Sequence, residues 1–168
     1  METRVTAYLG LGSNLGDRLA ALRGARQAFE KNPAVKVVVS APLYETAALG
    51  GPVGQPPYLN TVLQVETTLE PERLLALCHQ IEKDFGRQRQ EQWGPRTLDL
   101  DILFYDSMIR MDIELVLPHP RLHERAFVLF PLADLAPDLT HPVVFLTINE
   151  LMLRLDSTEG VQRVAELW

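Results

Sequence analysis

The chain has a single cysteine, Cys78, in 168 residues. One thiol excludes an intrachain disulfide and any metal site built on several cysteines, and fits a reducing compartment. No apolar run approaches the ~18 residues that a membrane-spanning helix requires. The N-terminal METRVTAYLGLGSN lacks a long apolar stretch after a basic start. A soluble, cytoplasmic protein without a membrane partner is expected. Positive charge is scarce too: 16 Lys and Arg against 22 Asp and Glu leave a formal net charge of -6. Such a balance argues against broad binding to nucleic acid. Two nucleotide motifs are missing. There is no GxxxxGK[ST], and the glycines of GLGSNLG, at 10, 12 and 16, give GxGxxxG, one residue off the dinucleotide fingerprint. That stretch reads instead as a tight turn from strand to helix. Repeats and low-complexity tracts are absent.

What is there suits a packed core. Hydrophobic residues make up 46% of the chain, enough for one compact domain over residues 1–168. Residues 4 to 11 read as a strand and residues 15 to 31 as a helix, with Ser13 and Asn14 as candidate caps and Asp17 in its first turn. Val35 to Tyr44 reads as a second strand. The Gly/Pro-rich TAALGGPVGQPP follows, then a third strand, Tyr58 to Glu66. Pro71 opens a helix at its favoured first position. Leu74, Cys78, Ile81 and Phe85 keep the spacing of a buried helical stripe up to Gly86. After RQRQEQWGPR comes the strand TLDLDILFY, then LPHPRLHERAF, an apolar helix near Val128 to Leu135 and a last helix from about Ile148. The order β-α-β-β-α-β is that of a ferredoxin-like α+β sandwich, here with appended C-terminal elements.

The strand after the arginines carries the chemistry. Side chains alternate along a strand, so Leu98, Leu100 and Ile102 share one face while Asp99 and Asp101 share the other with Leu103. Two carboxylates side by side at the edge of a core need a cation, a shared proton or good hydrogen-bond donors. A divalent metal is the strongest candidate. Magnesium suits a pair of oxygen ligands, because it keeps several waters and completes its shell with substrate phosphates. Arg87, Arg89 and Arg96 fall within ten residues, followed by Arg121 and Arg125. A guanidinium fork matches phosphate oxygens, although arginines also serve as solvated surface charge. Glu82 lies at the margin of the buried stripe, as part of a site or as a salt-bridged flank. His119 is a phosphate donor or a loop histidine bonded to backbone. Tyr58 and Asn60 share a strand face, and Phe127 follows an arginine. Together they suit a flat heterocycle stacked on rings and read by an amide, or, for the two rings, plain core packing.

GSNLGDR, YETAALG, PPYLN, WGPRTLDLDILF and LPHPRLHERAFVLFPLADLAP, running in that order from about residue 6 to 138, closely resemble the 6-hydroxymethyl-7,8-dihydropterin pyrophosphokinases of folate biosynthesis. The resemblance implies transfer of the β,γ-diphosphate of ATP, the co-substrate, to the hydroxymethyl group of the dihydropterin, releasing AMP. It implies two Mg²⁺ ions held by Asp99 and Asp101. Arg87 and Arg96 would contact the phosphates, with Arg89 and Trp93 on a loop closing over them. Glu82, Arg96, His119 and Arg125 would help bind ATP. Thr46, Leu49 and Asn60 would line the pterin pocket, with Trp93 over it and the ring between Tyr58 and Phe127. His79, Glu114 and Val116 stand where the family pattern has other residues. A monomer is expected, since no motif requires a dimer.

Two other readings use the same residues. A metal-dependent phosphohydrolase or nuclease would favour more carboxylate or histidine ligands and, for a nuclease, a broader basic surface. A noncatalytic binder of pterin or nucleotide would have no need of the aspartate pair.

Overall fold

The computed structural model describes residues 2–47, 53–86, 97–158 and 160–168. Strand β1 (Val5–Ser13) turns Ala7, Leu9 and Leu11 to one apolar cluster and Tyr8 to another, as the two-residue period of a pleated strand dictates. The strand runs two residues beyond the predicted end, so Gly10 and Gly12 lie inside it and not in the turn. Its ladder partners extend to Ser13 on one side and Gly12 on the other, which commits these backbone groups to the sheet. Helix α1 therefore begins later, at Arg18, and ends at Glu30. Asp17, not Ser13 or Asn14, is its cap, accepting the Ala20 N–H at 3.0 Å.

The predicted strand from Val35 to Tyr44 is two strands, β2 (Val35–Ser40) and β3 (Leu43–Thr46). Pro42 has no N–H to continue a ladder, and Ala41 N–H turns to Val62 O at 2.9 Å. Both pair antiparallel with β4 (Tyr58–Thr67). Helix α2 (Pro71–Asp84) buries Leu74, Cys78 and Ile81 as its spacing predicts. Strand β5 (Asp99–Tyr105) then pairs with β1. The order across the main sheet places β1 between β5 and β4, so the β1-α1-β2 unit brackets β4 and the β4-α2-β5 unit brackets β1. These two interleaved split units make up the ferredoxin-like core, and every ladder is antiparallel.

The C-terminal third adds a two-stranded ribbon, β6 (Arg110–Met111) with β7 (Val116–Leu117), a 3₁₀ turn at Leu122–Glu124 and helices α3 (Ala126–Leu135) and α4 (Ile148–Leu153). Strand β8 (Val161–Ala165), which the sequence reading did not anticipate, pairs with β3. Its Arg163 bridges Tyr44 and Asp134, and the Trp168 indole N–H donates to Ala41 O at 2.8 Å. These polar contacts are scattered along the chain and leave no apolar period by which to find a strand.

Helices cover the sheet on both faces. Leu22, Phe29, Leu74 and Ile81 of α1 and α2 meet Leu9, Leu11, Leu100 and Ile102. On the other face Leu129 and Leu132 of α3 and Ile148 of α4 meet Tyr8, Val62, Leu103 and Phe104. Among the described residues no helix is long and apolar enough to cross a membrane.

Candidate active site

The sheet register assembles the site. In β1, Gly12 is paired with Asn60 of β4 on one side and Asp99 of β5 on the other, and Gly10 with Val62 and Asp101. Paired residues on adjacent strands share a face, so Asn60, Asp99 and Asp101 all stand on the α3 side. Two strand spacings, roughly 9–10 Å, separate the Asn60 and Asp99 backbones. The apolar cover of α3 reaches Val62 and Leu103, which are fully buried, and stops short of Asp99 and Asp101, which are half-buried.

A β-bulge brings in the histidine. The β1–β5 register shifts at Tyr8/Leu9, so Leu103 and Phe104 both face α3. The extra residue leaves the regular ladder, and the Leu103 carbonyl accepts the His119 N–H at 2.9 Å. That bond docks the turn after the cis Leu117-Pro118 peptide beside the acidic strand. His119 Nε2 lies 3.8 Å from Asp101 Oδ1, and its Nδ1 accepts the Arg121 N–H at 3.3 Å. The neutral ring therefore carries its proton on Nε2, toward Asp101. Burial first, and then the Arg125 guanidinium, depress the His119 pKa to about 4 against the opposing pull of Asp99.

Glu82, Asp99, Asp101, His119 and Arg125 line one cavity of about 370 Å³, together with Leu75, His79, Ile113, Glu114 and Val116. The structure thus brings together five of the residues selected from sequence. Glu82 is 3% exposed, and its Oε2 accepts the Leu100 N–H at 2.9 Å, clamping α2 to β5 directly behind the two aspartates. Burial lowers the Arg125 pKa, but a guanidinium stays charged in a protein. Cys78 faces the core instead, where burial pushes its thiol well up and keeps it neutral.

Thr46, Tyr58, Asn60 and Phe127 lie outside that cavity. Asn60 Nδ2 donates to Thr46 Oγ1 at 2.9 Å, and both residues are buried. Tyr58 is half-buried at the start of β4. Phe127 packs at the edge of the α3 cluster, with the Arg125 guanidinium 5.5 Å from its ring centre. Leu49, Arg87, Arg89, Trp93 and Arg96 lie outside the described residues. Among the described residues no cluster of three or more His, Cys, Asp or Glu could hold a metal. A pair of hard carboxylates in an open cavity suits a cation that takes its remaining ligands from water and substrate oxygens, which is the habit of magnesium.

Residues 8–137 match the model of the 7,8-dihydro-6-hydroxymethylpterin-pyrophosphokinase (HPPK) family. The chain belongs to this family. It is 43% identical over 158 residues to the 2-amino-4-hydroxy-6-hydroxymethyldihydropteridine pyrophosphokinase of Methylorubrum extorquens, covering 94% of this chain and 98% of that one. The Pseudomonas aeruginosa protein of the same name is 45% identical over 135 residues, 80% of this chain and 83% of its own. Among solved structures, wild-type Plasmodium falciparum HPPK-DHPS superposes with a TM-score of 0.72 at 14% identity, over 97% of this chain. The present chain spans 48% of that longer one, and the likeness is one of fold. Within the HPPK frame, Leu75 and Ile113 of the apolar cavity wall were not singled out from sequence, and Val116 was noted only as a departure from the family pattern. Ile113 lies in the connection between β6 and β7, two strands too short to leave a period. Gly12 was missed as well, although glycine inside a strand signals a close approach.

Proposed function

We propose that the cavity edged by Asp99 and Asp101 and the buried amide of Asn60 form the two halves of one diphosphoryl-transfer site. As a member of its family the chain transfers the β,γ-diphosphate of ATP to the hydroxymethyl group of 6-hydroxymethyl-7,8-dihydropterin, a step of folate biosynthesis. The single observation that carries the two-part site is the register: Asn60, Gly12 and Asp99 lie in one row across β4, β1 and β5. A heterocycle held at Asn60 then presents its substituent toward the acidic strand.

In the reaction the hydroxyl oxygen bonds to the β-phosphorus while the bond from that phosphorus to the α-phosphate oxygen breaks. AMP leaves, and the hydroxyl proton passes to solvent. Two Mg²⁺ ions held by Asp99 and Asp101 would offset the charge of the triphosphate and orient it. Arg125 supplies a fixed positive charge at the cavity wall, and His119 a neutral N–H donor. Glu82, at the same wall, contributes to the ATP site by holding the Leu100 backbone and hence the direction of both aspartates. Thr46 fixes the Asn60 amide that reads the pterin edge, with Tyr58 and Phe127 as the flanking rings. Following the resemblance, Arg87 and Arg96 contact the phosphates, Arg89 and Trp93 belong to the closing loop, and Leu49 lines the pterin pocket. Residues 1–168 act as one catalytic domain. Most of the protein's contribution is positioning and charge compensation, as phosphoryl-type transfer requires.

Phosphorus NMR of the purified chain with ATP and Mg²⁺, with and without the dihydropterin, tests this. AMP and a pterin diphosphate should appear only when the dihydropterin is present. Release of ADP and inorganic phosphate would replace the proposal with a hydrolase, and binding of both ligands without turnover would replace it with a noncatalytic binder.

A further inference from the structure

Glycine inside a strand weakens it unless something must come close to the backbone. Strand β1 carries two such glycines on the site face, and their surroundings differ. A Cβ built on Gly10 would meet Leu103 Cδ2 at 3.3 Å, a neighbour that is itself a movable methyl. A Cβ built on Gly12 would lie 2.8 Å from Asn60 Oδ1 and 3.5 Å from Tyr58 Cδ1. The first of these distances is too short for real contact, whereas the second is ordinary packing. The Asn60 amide thus points its oxygen at the Gly12 backbone, over the position where any other residue would begin its side chain. Its nitrogen is tied to Thr46 Oγ1 at 2.9 Å on the neighbouring β3. The amide is held from one side by Thr46, and it has room to lie there only because Gly12 has no side chain.

We infer that Gly12 is a positioning residue that sets the depth and tilt of the Asn60 amide and so the affinity and selectivity for the flat dihydropterin. This rests on the proposed pterin-binding role of Asn60. The far end of a side chain can move more easily than a backbone, so Gly12→Ala should fold and displace the amide rather than the sheet. The lost geometry belongs to pterin recognition alone, because the nucleotide cavity is lined by neither Gly12 nor Asn60.

The test measures binding of 6-hydroxymethyl-7,8-dihydropterin by its fluorescence, with Mg²⁺ and α,β-methylene ATP present, in four full-length proteins: wild type, Gly12→Ala, Asn60→Ala and the double variant. Gly12→Ala should weaken dihydropterin binding at least tenfold while the affinity for the ATP analogue stays within twofold. In the Asn60→Ala background the same change should have less than a twofold further effect. Gly10→Ala should leave dihydropterin affinity within twofold of wild type. An unchanged dihydropterin affinity in Gly12→Ala, or an equal loss for both ligands, would overturn the inference. So would a full tenfold loss in the Asn60→Ala background, since the glycine would then act on the sheet and not through the amide. If Gly12→Ala fails to fold, folding of the double variant supports the clash with Asn60, and unfolding of both overturns it. A wild type that does not bind the dihydropterin would overturn the proposed function itself, and the role of Gly12 with it.

Discussion

Leu98 is fully buried beneath α1 and α2, and Leu100 and Ile102, each 4% exposed in the same apolar cluster, reach the cavity only at their edge, while Asp99 and Asp101, interleaved with them, are half-buried in the cavity wall. The pleat thus separates two tasks within five residues. One face of β5 is closed by apolar contact and holds the fold. The other is left half-covered, because the α3 cover ends at Leu103, and there two adjacent carboxylates repel each other while both attract the Arg125 guanidinium. The difference teaches that stability and chemistry should respond to different substitutions along a single strand.

The largest effect falls on the open face. Asp99→Ala or Asp101→Ala should lower kcat on the order of 10³-fold, as expected for loss of a charge-compensating anchor in transfer of a phosphate group. Thermal unfolding of the same variants should shift Tm by only a few degrees, since removing either carboxylate relieves the repulsion of the other but gives up its attraction to Arg125. AMP release measured beside calorimetry checks both halves. Near-normal turnover in either variant would break the comparison from its chemical side. On the closed face, Leu98→Ala, at a fully buried residue that does not line the cavity, should cost about 2–5 kcal/mol in urea denaturation, as large-to-small changes in a packed core do. Its folded fraction should keep kcat within about twofold. A Leu98 variant that stayed stable but lost turnover would break the comparison from the other side.

This division was readable in the sequence because it is written in a period of two. Apolar residues at 98, 100 and 102, with carboxylates between, admit one arrangement at the edge of a core. The helix over 71–84 was legible for the same reason, with a period near 3.6 and a proline at its start. The beginning of α1 was not. Ser13 and Asn14 are as good caps as Asp17, and what excludes them lies far along the chain: Ser13 is held in the ladder to β4, and the Asn14 amide donates to Gln55 Oε1 and Pro56 O. The break at Ala41–Pro42 needed the knowledge that β2 and β3 share one partner strand. An acidic set and an aromatic-amide set were legible as residue types but not their placement: nothing local says that Gly12 lies between Asn60 and Asp99, because that row joins three segments far apart in the chain.

Glu82 sharpens the comparison, because it reaches from one face to the other. It sits on the buried side of α2 yet lines the cavity, and its carboxylate takes the Leu100 N–H. Glu82→Ala leaves that backbone donor buried without its partner and should cost about 1–3 kcal/mol. Turnover should fall as well, through misdirection of the neighbouring aspartates. Glu82→Gln retains an amide oxygen to accept the bond and should recover most of the stability. If the glutamine variant is stable but as slow as the alanine variant, the negative charge matters to the site, and if both properties recover together the role is that of a clamp.

The smallest effect concerns His119, the polar group that the open face keeps neutral. With its folded pKa near 4 and an ordinary value of 6.5, the imidazole takes up a proton in the unfolded chain before it does so in the folded one. Its contribution to stability is therefore present above pH 6.5, is lost as pH falls toward 4, and is flat below that. Between pH 7 and pH 5 the loss should be roughly 1–2 kcal/mol, taking each pKa unit as ~1.4 kcal/mol. His119→Asn should remove that part of the pH slope in urea denaturation. In the free protein the His119 imidazole resonances should titrate near pH 4, with the proton on Nε2 at neutral pH. A midpoint near 6.5 would make the ring an ordinary solvated histidine, and a midpoint above 7 would make it a cation paired with Asp101. Because a neutral donor adds no charge to the cavity, His119→Asn at pH 7 should lower kcat no more than about tenfold, well short of the loss from either aspartate. A fall as deep as that of Asp101→Ala would show that His119 meets the phosphates as an imidazolium, with the anionic ligand overcoming burial and Arg125 to protonate it.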